Sequence, residues 1–164
     1  MKTGDIIAFK TKALWYNPLT YLGPIIRKIA KIKYNHVGIV IELYNKKFIF
    51  EAVDKGFLAK SLDEKLNDKK HIKSYKVLRP IYKFNENTLR EEAIDLLSNK
   101  YDFKGLLFNQ LILNLFNVWI GRNNNQKNKL YCYEAVFFLH REIFPDWWKT
   151  KPQEIFNNKN FEIL

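Results

Sequence analysis

Hydrophobic positions along this chain follow two rhythms, and their order predicts the elements. Ile6-Ile7-Ala8-Phe9 is a short apolar run after the turn signal Gly4-Asp5, which predicts a strand over residues 5–9. Residues 37–43 and 47–53 are rich in β-branched and aromatic side chains and are joined by Tyr44-Asn45-Lys46, a hairpin pattern. Residues 74–78 predict a further strand, closed by Arg79-Pro80. Elsewhere the period lengthens. Ile25, Ile26, Ile29 and Ile32 follow Gly23-Pro24 at helical spacing with basic residues between them. Leu89, Ala93, Leu96 and Leu97 give residues 87–98 an inward face, with Asn85 or Asn87 as the N-cap. The longest apolar stretch, 105–120, is short for a membrane span and is interrupted by Asn109, Gln110, Asn114 and Asn117. Positions 110, 114 and 117 share one helical face, so the pattern is that of an amphipathic helix. Its other face suits a core, a greasy substrate groove or a membrane surface. A polar loop at 121–129, containing Asn123-Asn124-Asn125, leads to a helix from Cys132 to about Ile143, stopped by Pro145. Residues 152–156 form a short turn, and 161–164 a terminal strand. The sum is one α+β domain spanning 1–164, a small antiparallel sheet packed against helices, without internal repeat or linker.

Composition narrows this little. At 164 residues, 47% hydrophobic and 16% aromatic, the chain has material for an ordinary core. Its formal charge of +11 and isoelectric point near 9.6 favour anionic partners such as acidic lipid headgroups or cell-wall polymers. Lysines recur in every third of the chain and no nucleic-acid-reading motif accompanies them, which argues against nucleic acid as the partner. The residues after Met1 lack a signal-peptide apolar core and cleavage site. Cytoplasmic residence, release at lysis and packaging in a particle all fit, and oligomeric state is not readable.

Cys132 is the single cysteine. A lone thiol forms no internal disulfide and supplies no multi-thiolate metal site. It is either a small buried apolar side chain or a nucleophile, and the start of a helix favours the thiolate. A thiolate needs a base. His140 is eight residues further along the same expected helix, about 12 Å away, and is assigned to the surface or the helix end. His71 lies in the basic, solvated run Lys69-Lys70-His71-Ile72-Lys73. His36 opens the strand His36-Val37-Gly38-Ile39-Val40, where Gly38 allows close backbone approach.

A carboxylate should orient that imidazole. Glu51 is embedded in Phe48-Ile49-Phe50-Glu51-Ala52-Val53, an apolar run in which a bare charge is costly. With Asn45-Lys46 as the turn, Val40 opposes Glu51 and His36 opposes Lys55. His36, Val40 and Glu51 then share a face, but Glu51 falls four residues short of His36, about 13 Å. A turn nearer Leu43-Tyr44, or a bulge, would close that gap.

Gly4-Asp5-Ile6-Ile7, Asn35-His36-Val37-Gly38-Ile39-Val40, Phe50-Glu51-Ala52, Lys100-Tyr101-Asp102-Phe103 and Tyr131-Cys132-Tyr133-Glu134-Ala135-Val136 resemble the circularly permuted branch of the NlpC/P60 papain-like superfamily, the YaeF/YiiX-type amidases. The resemblance runs from residue 4 to the C-terminus. Each motif is short; the order, histidine strand first and cysteine helix last, is what distinguishes the permuted branch from the usual papain order. The resemblance implies a permuted papain-like fold with the nucleophile at a helix N-terminus. It implies Cys132 as nucleophile, His36 as base and Glu51 as third member, with no metal or organic cofactor. It also implies action on amide or ester bonds in cell-wall peptides or lipid-like acyl compounds, by hydrolysis or acyl transfer. The family's common Cys-Ser-Glu reads Cys132-Tyr133-Glu134 here, which puts Tyr133 beside the nucleophile. Tyr131 and Tyr34 are the side-chain candidates for the oxyanion or substrate wall, next to the backbone N–H of Cys132. The rival reading is a binding or structural protein that keeps the fold without the chemistry, such as a component of a phage particle or a membrane-associated protein.

Overall fold

The strand-forming runs assemble into a six-stranded antiparallel sheet in the computed structural model, which describes residues 1–12, 28, 32–97, 99–102, 111–116, 118 and 129–164. Its strands are β1 (Ile6–Thr11), β2 (His36–Leu43), β3 (Lys46–Val53), β4 (Gly56–Ser61), β5 (Ile72–Pro80) and β8 (Phe161–Ile163), in the order β4-β3-β2-β1-β5-β8. Two-residue strands β6 (Lys100–Tyr101) and β7 (Lys129–Leu130) pair in parallel beside it. The helices are α1 (Leu62–Leu66), α2 (Glu86–Asp95), α3 (Leu111–Phe116), α4 (Cys132–Leu139) and α5 (Glu154–Asn157).

Alternation along the central strands gives the sheet two apolar faces. Ile6, Ala8, Val37, Ile39, Ile41, Phe50 and Ala52 belong to the core that includes α4, with Leu89 and Ala93 of α2. Every residue of α4 is buried, so this helix is the centre of the molecule rather than a cover over it. On the other face Ile7, Phe9, Val40 and Ile49 pack with Leu62 of α1 and with Ile72.

Local chemistry fixes the ends of these elements. Asn85 caps α2, its side-chain oxygen accepting from the N–H groups of Asn87 (3.0 Å) and Thr88 (3.2 Å). Gly4 adopts φ +89°, and an added Cβ would sit 2.4 Å from the Phe84 ring, so glycine is required there on both counts. The next residue, Asp5, is buried. Its carboxylate accepts from Nε and a terminal nitrogen of Arg79 at 2.9 and 2.8 Å, fastening β1 to the end of β5.

Several expectations need correction. The hairpin turns at Tyr44 and Asn45, both at left-handed φ (49° and 60°), so Leu43 pairs with Lys46 and the register differs from that of an Asn45-Lys46 turn. The cysteine helix ends at His140 rather than near Ile143. His140 leaves helical geometry (φ −112°, ψ 31°) where its ring enters a cage of Tyr82, Phe84 and Phe161. His140 does end the helix, but it is buried, not at the surface. Strand β4 and helix α1 were not anticipated. The helix expected up to Ile32 and the loop expected from 121 lie almost wholly outside the described residues. Of the 105–120 stretch, α3 and residue 118 are described; Leu113 is buried while Leu115 and Phe116 are exposed. Among the described residues no helix is long and apolar enough to cross a membrane.

Candidate active site

The β2–β3 register brings His36 and Glu51 together. Ile39 pairs with Phe50, and continuing that ladder by one step sets Glu51 opposite Gly38, on the same face as His36 and two residues from it. The missing side chain at Gly38 matters: a Cβ there would lie 2.7 Å from Cγ1 of Ile49 and 3.0 Å from the Phe50 carbonyl oxygen. The diagonal is short enough for a direct bond. His36 Nε2 donates to Glu51 Oε2 at 2.5 Å, with the Glu51 side chain fully buried and that of His36 14% exposed.

The imidazole also meets the thiol. Cys132, buried as the first residue of α4, comes from the opposite side of the sheet, against which α4 packs through Val37, Ile39 and Ile41. His36 is the first residue of β2, and its side chain hydrogen-bonds that of Cys132. With Nε2 engaged by Glu51, Nδ1 is the nitrogen left for the sulfur.

Electrostatics follow from this placement. Burial alone would favour neutral imidazole, but the negative charge of Glu51, hydrogen bonding to Cys132 and hydrogen bonding to Glu51 outweigh it, raising His36 from 6.5 to about 9. Burial likewise works against the Glu51 carboxylate, yet His36 and then Lys65 hold it ionised, down to about 2. Lys65, in α1, is the partner that the sequence reading missed. Its Nζ lies 2.7 Å from each carboxylate oxygen of Glu51. Only its position one turn after the buried Leu62 could have marked it, and a five-residue helix carries too little periodicity to be read.

The surrounding tyrosines are interior side chains. The Tyr133 hydroxyl donates to the Tyr34 carbonyl at 2.7 Å, tying α4 to the segment before β2. The Tyr34 ring stacks on Phe156 at 5.5 Å, and Tyr131 is fully buried. Glu134 turns back so that its carboxylate accepts from the Tyr131 N–H at 3.4 Å, in the manner of a helix cap; burial and nearby Asp102 push its carboxyl well above the usual range. The other two histidines stand apart: His71 is partly exposed and paired with Asp68, and His140 Nδ1 meets the Tyr82 hydroxyl at 2.5 Å.

No family model and no curated protein matches the chain. Among solved structures, the metalloprotein YiiX from Escherichia coli O157:H7 superposes with a TM-score of 0.69, covering 99% of this chain and 96% of its own, at 16% sequence identity. The two share a fold. That fold is α+β with a small antiparallel sheet against helices. Among the described residues no group of three or more His, Cys, Asp or Glu side chains is disposed to hold a metal ion. His36 and Glu51 are committed to internal partners: Nε2 is bonded to the carboxylate and both carboxylate oxygens face Lys65.

Proposed function

We propose that this chain is a cysteine-dependent hydrolase or acyltransferase of the permuted NlpC/P60 papain-like type, cleaving an amide or ester bond through a thioester on Cys132. One observation carries the reading: a single imidazole, that of His36, lies between the buried carboxylate of Glu51 and the side chain of Cys132. The chain order, histidine before cysteine, and the fold shared with YiiX support the permuted assignment.

In this mechanism His36 rests as imidazolium beside the Cys132 thiolate. The sulfur attacks the substrate carbonyl carbon, and the resulting oxyanion is met by the Cys132 backbone N–H, one of the unpaired donors at the start of α4. As the tetrahedral adduct collapses, the Nδ1 proton passes to the leaving amine or alcohol, giving a thioester and neutral imidazole. Neutral His36 then takes a proton from water, or from an acceptor alcohol or amine, which attacks the thioester. Collapse releases the acyl product and restores the thiolate–imidazolium pair. Throughout, the Nε2–H bond to Glu51 holds the ring in the tautomer that leaves Nδ1 facing sulfur. A basic surface suits cell-wall peptides, and the many aromatic and aliphatic side chains suit acyl lipids.

The test is intact-protein mass after exposure to two panels, cell-wall-type peptides and acyl esters including phospholipids. A mass increment equal to the acyl group, located at Cys132, lost in Cys132→Ala and slowed in His36→Ala, is the expected result. No adduct from either panel, together with iodoacetamide labelling at the rate of an ordinary thiol regardless of His36, would leave a non-catalytic structural or binding protein.

A further inference from the structure

Lys65 has no part in the mechanism above, yet it is built into the same cluster. Its ammonium touches both oxygens of Glu51 at 2.7 Å, and its side chain is 13% exposed. It lies 5.2 Å over the Phe9 ring, and Phe9 is the ladder partner of His36, with its ring 6.0 Å from the imidazole. Lys65 is delivered by the last turn of α1, where a cation is favoured by the helix dipole, and α1 is seated by the buried Leu62. The ionisable groups that face Glu51 are His36 from β2 and Lys65 from α1, and those that face His36 are Glu51 and Cys132 from α4.

Resting on the reading of the site as a thiol enzyme, we infer that Lys65 is a positioning residue: the standing counter-charge that keeps Glu51 ionised while His36 gives up and regains its proton. The need for it follows from burial. While His36 is imidazolium, Glu51 has a cationic partner in the ring itself. Once Nδ1 has given its proton to the leaving group the ring is neutral, and a fully buried carboxylate without a counter-ion is a high-energy state. A Glu51 without Lys65 would depend on the imidazolium as its sole counter-ion, so the ring would hold its Nδ1 proton more firmly and give it up less readily to the leaving group. With Lys65 bridging both oxygens, the carboxylate stays paired in both halves of the cycle. A like charge beside the imidazolium also moderates how firmly that ring holds its proton.

The experiment follows the His36 ring by 15N NMR across pH in the unaltered protein, Lys65→Met and Lys65→Arg, alongside the rate of Cys132 alkylation by iodoacetamide. Lys65→Met is expected to move the His36 midpoint up by about one pH unit, the scale of a removed neighbouring like charge. Lys65→Arg, which keeps the charge, is expected to restore the original midpoint. Should Lys65→Met fail to fold by circular dichroism, Lys65→Gln keeps a hydrogen-bond donor without the charge and is expected to show the same upward shift. An unchanged midpoint in a folded Met or Gln variant overturns the inference. A Cys132 inert to iodoacetamide in the unaltered protein would sink the thiol-enzyme reading instead, a result independent of where His36 titrates.

Discussion

Glu51 is the residue on which the site's charge balance turns, since it faces both the His36 ring and the Lys65 ammonium. Replacing it with glutamine keeps the shape and removes the charge. His36 would then retain the burial that disfavours imidazolium without the anion that overcomes it, so its midpoint is expected to fall from about 9 to below the ordinary 6.5. Imidazolium would no longer be the resting form at pH 7, and alkylation of Cys132 is expected to slow by roughly tenfold or more. Lys65 would also lose its partner while largely buried, at a cost to stability on the order of 3 kcal/mol. NMR titration of His36, timed iodoacetamide labelling and urea unfolding read these three effects separately. Faster or unchanged labelling in Glu51→Gln would remove Glu51 from the proposed chemistry. Tyr133 belongs to a different class of residue: with its hydroxyl committed to the Tyr34 carbonyl, its replacement by phenylalanine should cost stability, about 1 kcal/mol, more than it changes the thiol.

Among the elements, the β2–β3 hairpin decides whether the site exists, because shifting its turn by one residue moves every partner by two. Gly38→Ala tests this. Its new Cβ meets the Ile49 side chain at 2.7 Å and the Phe50 carbonyl at 3.0 Å, and the carbonyl can yield only if the strand moves. A loss of about 1–3 kcal/mol is expected in thermal unfolding, with slower Cys132 labelling as Glu51 is displaced from His36. Unaltered stability and labelling would show that the strands are not so tightly held. The same hairpin explains what could be read in advance. The strands were legible because their apolar residues are dense and β-branched, and Glu51 stood out because it interrupts such a run. The register was not legible, because the turn puts Tyr44 at φ 49°, a conformation that bulky residues seldom adopt, and Asn45-Lys46 was the more ordinary choice. Helix α1, with Lys65, was invisible for another reason: five residues complete too little of the helical period to leave a pattern, and the helix persists through tertiary contact of Leu62. The cysteine helix showed the reverse limit. Its apolar run marked a helix, expected to be amphipathic, whereas every residue of it is buried, and its end at His140 depends on a cage contributed by the segment after β5 and by β8.

At the scale of the whole molecule, these buried histidines set opposite flanks of the stability profile. His36 titrates near 9 in the folded chain against 6.5 when unfolded, so its contribution is complete below pH 6.5 and is lost as pH rises through about 9. Glu51 titrates near 2 against 4.5, so its contribution is complete above pH 4.5 and is lost as pH falls through about 2. His140 runs the other way from His36: burial in its aromatic cage lowers it to about 3, and a backbone hydrogen bond with Gly4 offsets only part of that. The unfolded chain therefore binds a proton at position 140 that the folded chain refuses, and stability falls as pH drops from 6.5 toward 3. Between pH 4.5 and 6.5 neither His36 nor Glu51 contributes a slope, but buried Glu134, its carboxyl held well above the usual range, contributes one of opposite sign, so the part due to His140 is the difference from a variant without it. Urea unfolding there is expected to show the advantage of the unaltered protein over His140→Phe shrinking by up to about 1.4 kcal/mol per pH unit as pH falls, the value for one proton. His140→Phe keeps an aromatic ring among Tyr82, Phe84 and Phe161 and should remove this proton uptake. It should cost about 1 kcal/mol at neutral pH, because the Tyr82 hydroxyl loses its partner. The basic limb, between about pH 7 and 9, should survive in that variant and vanish in His36→Gln. A stability difference between the two proteins that does not vary with pH across this window would mean that His140 is not the group that takes up the proton.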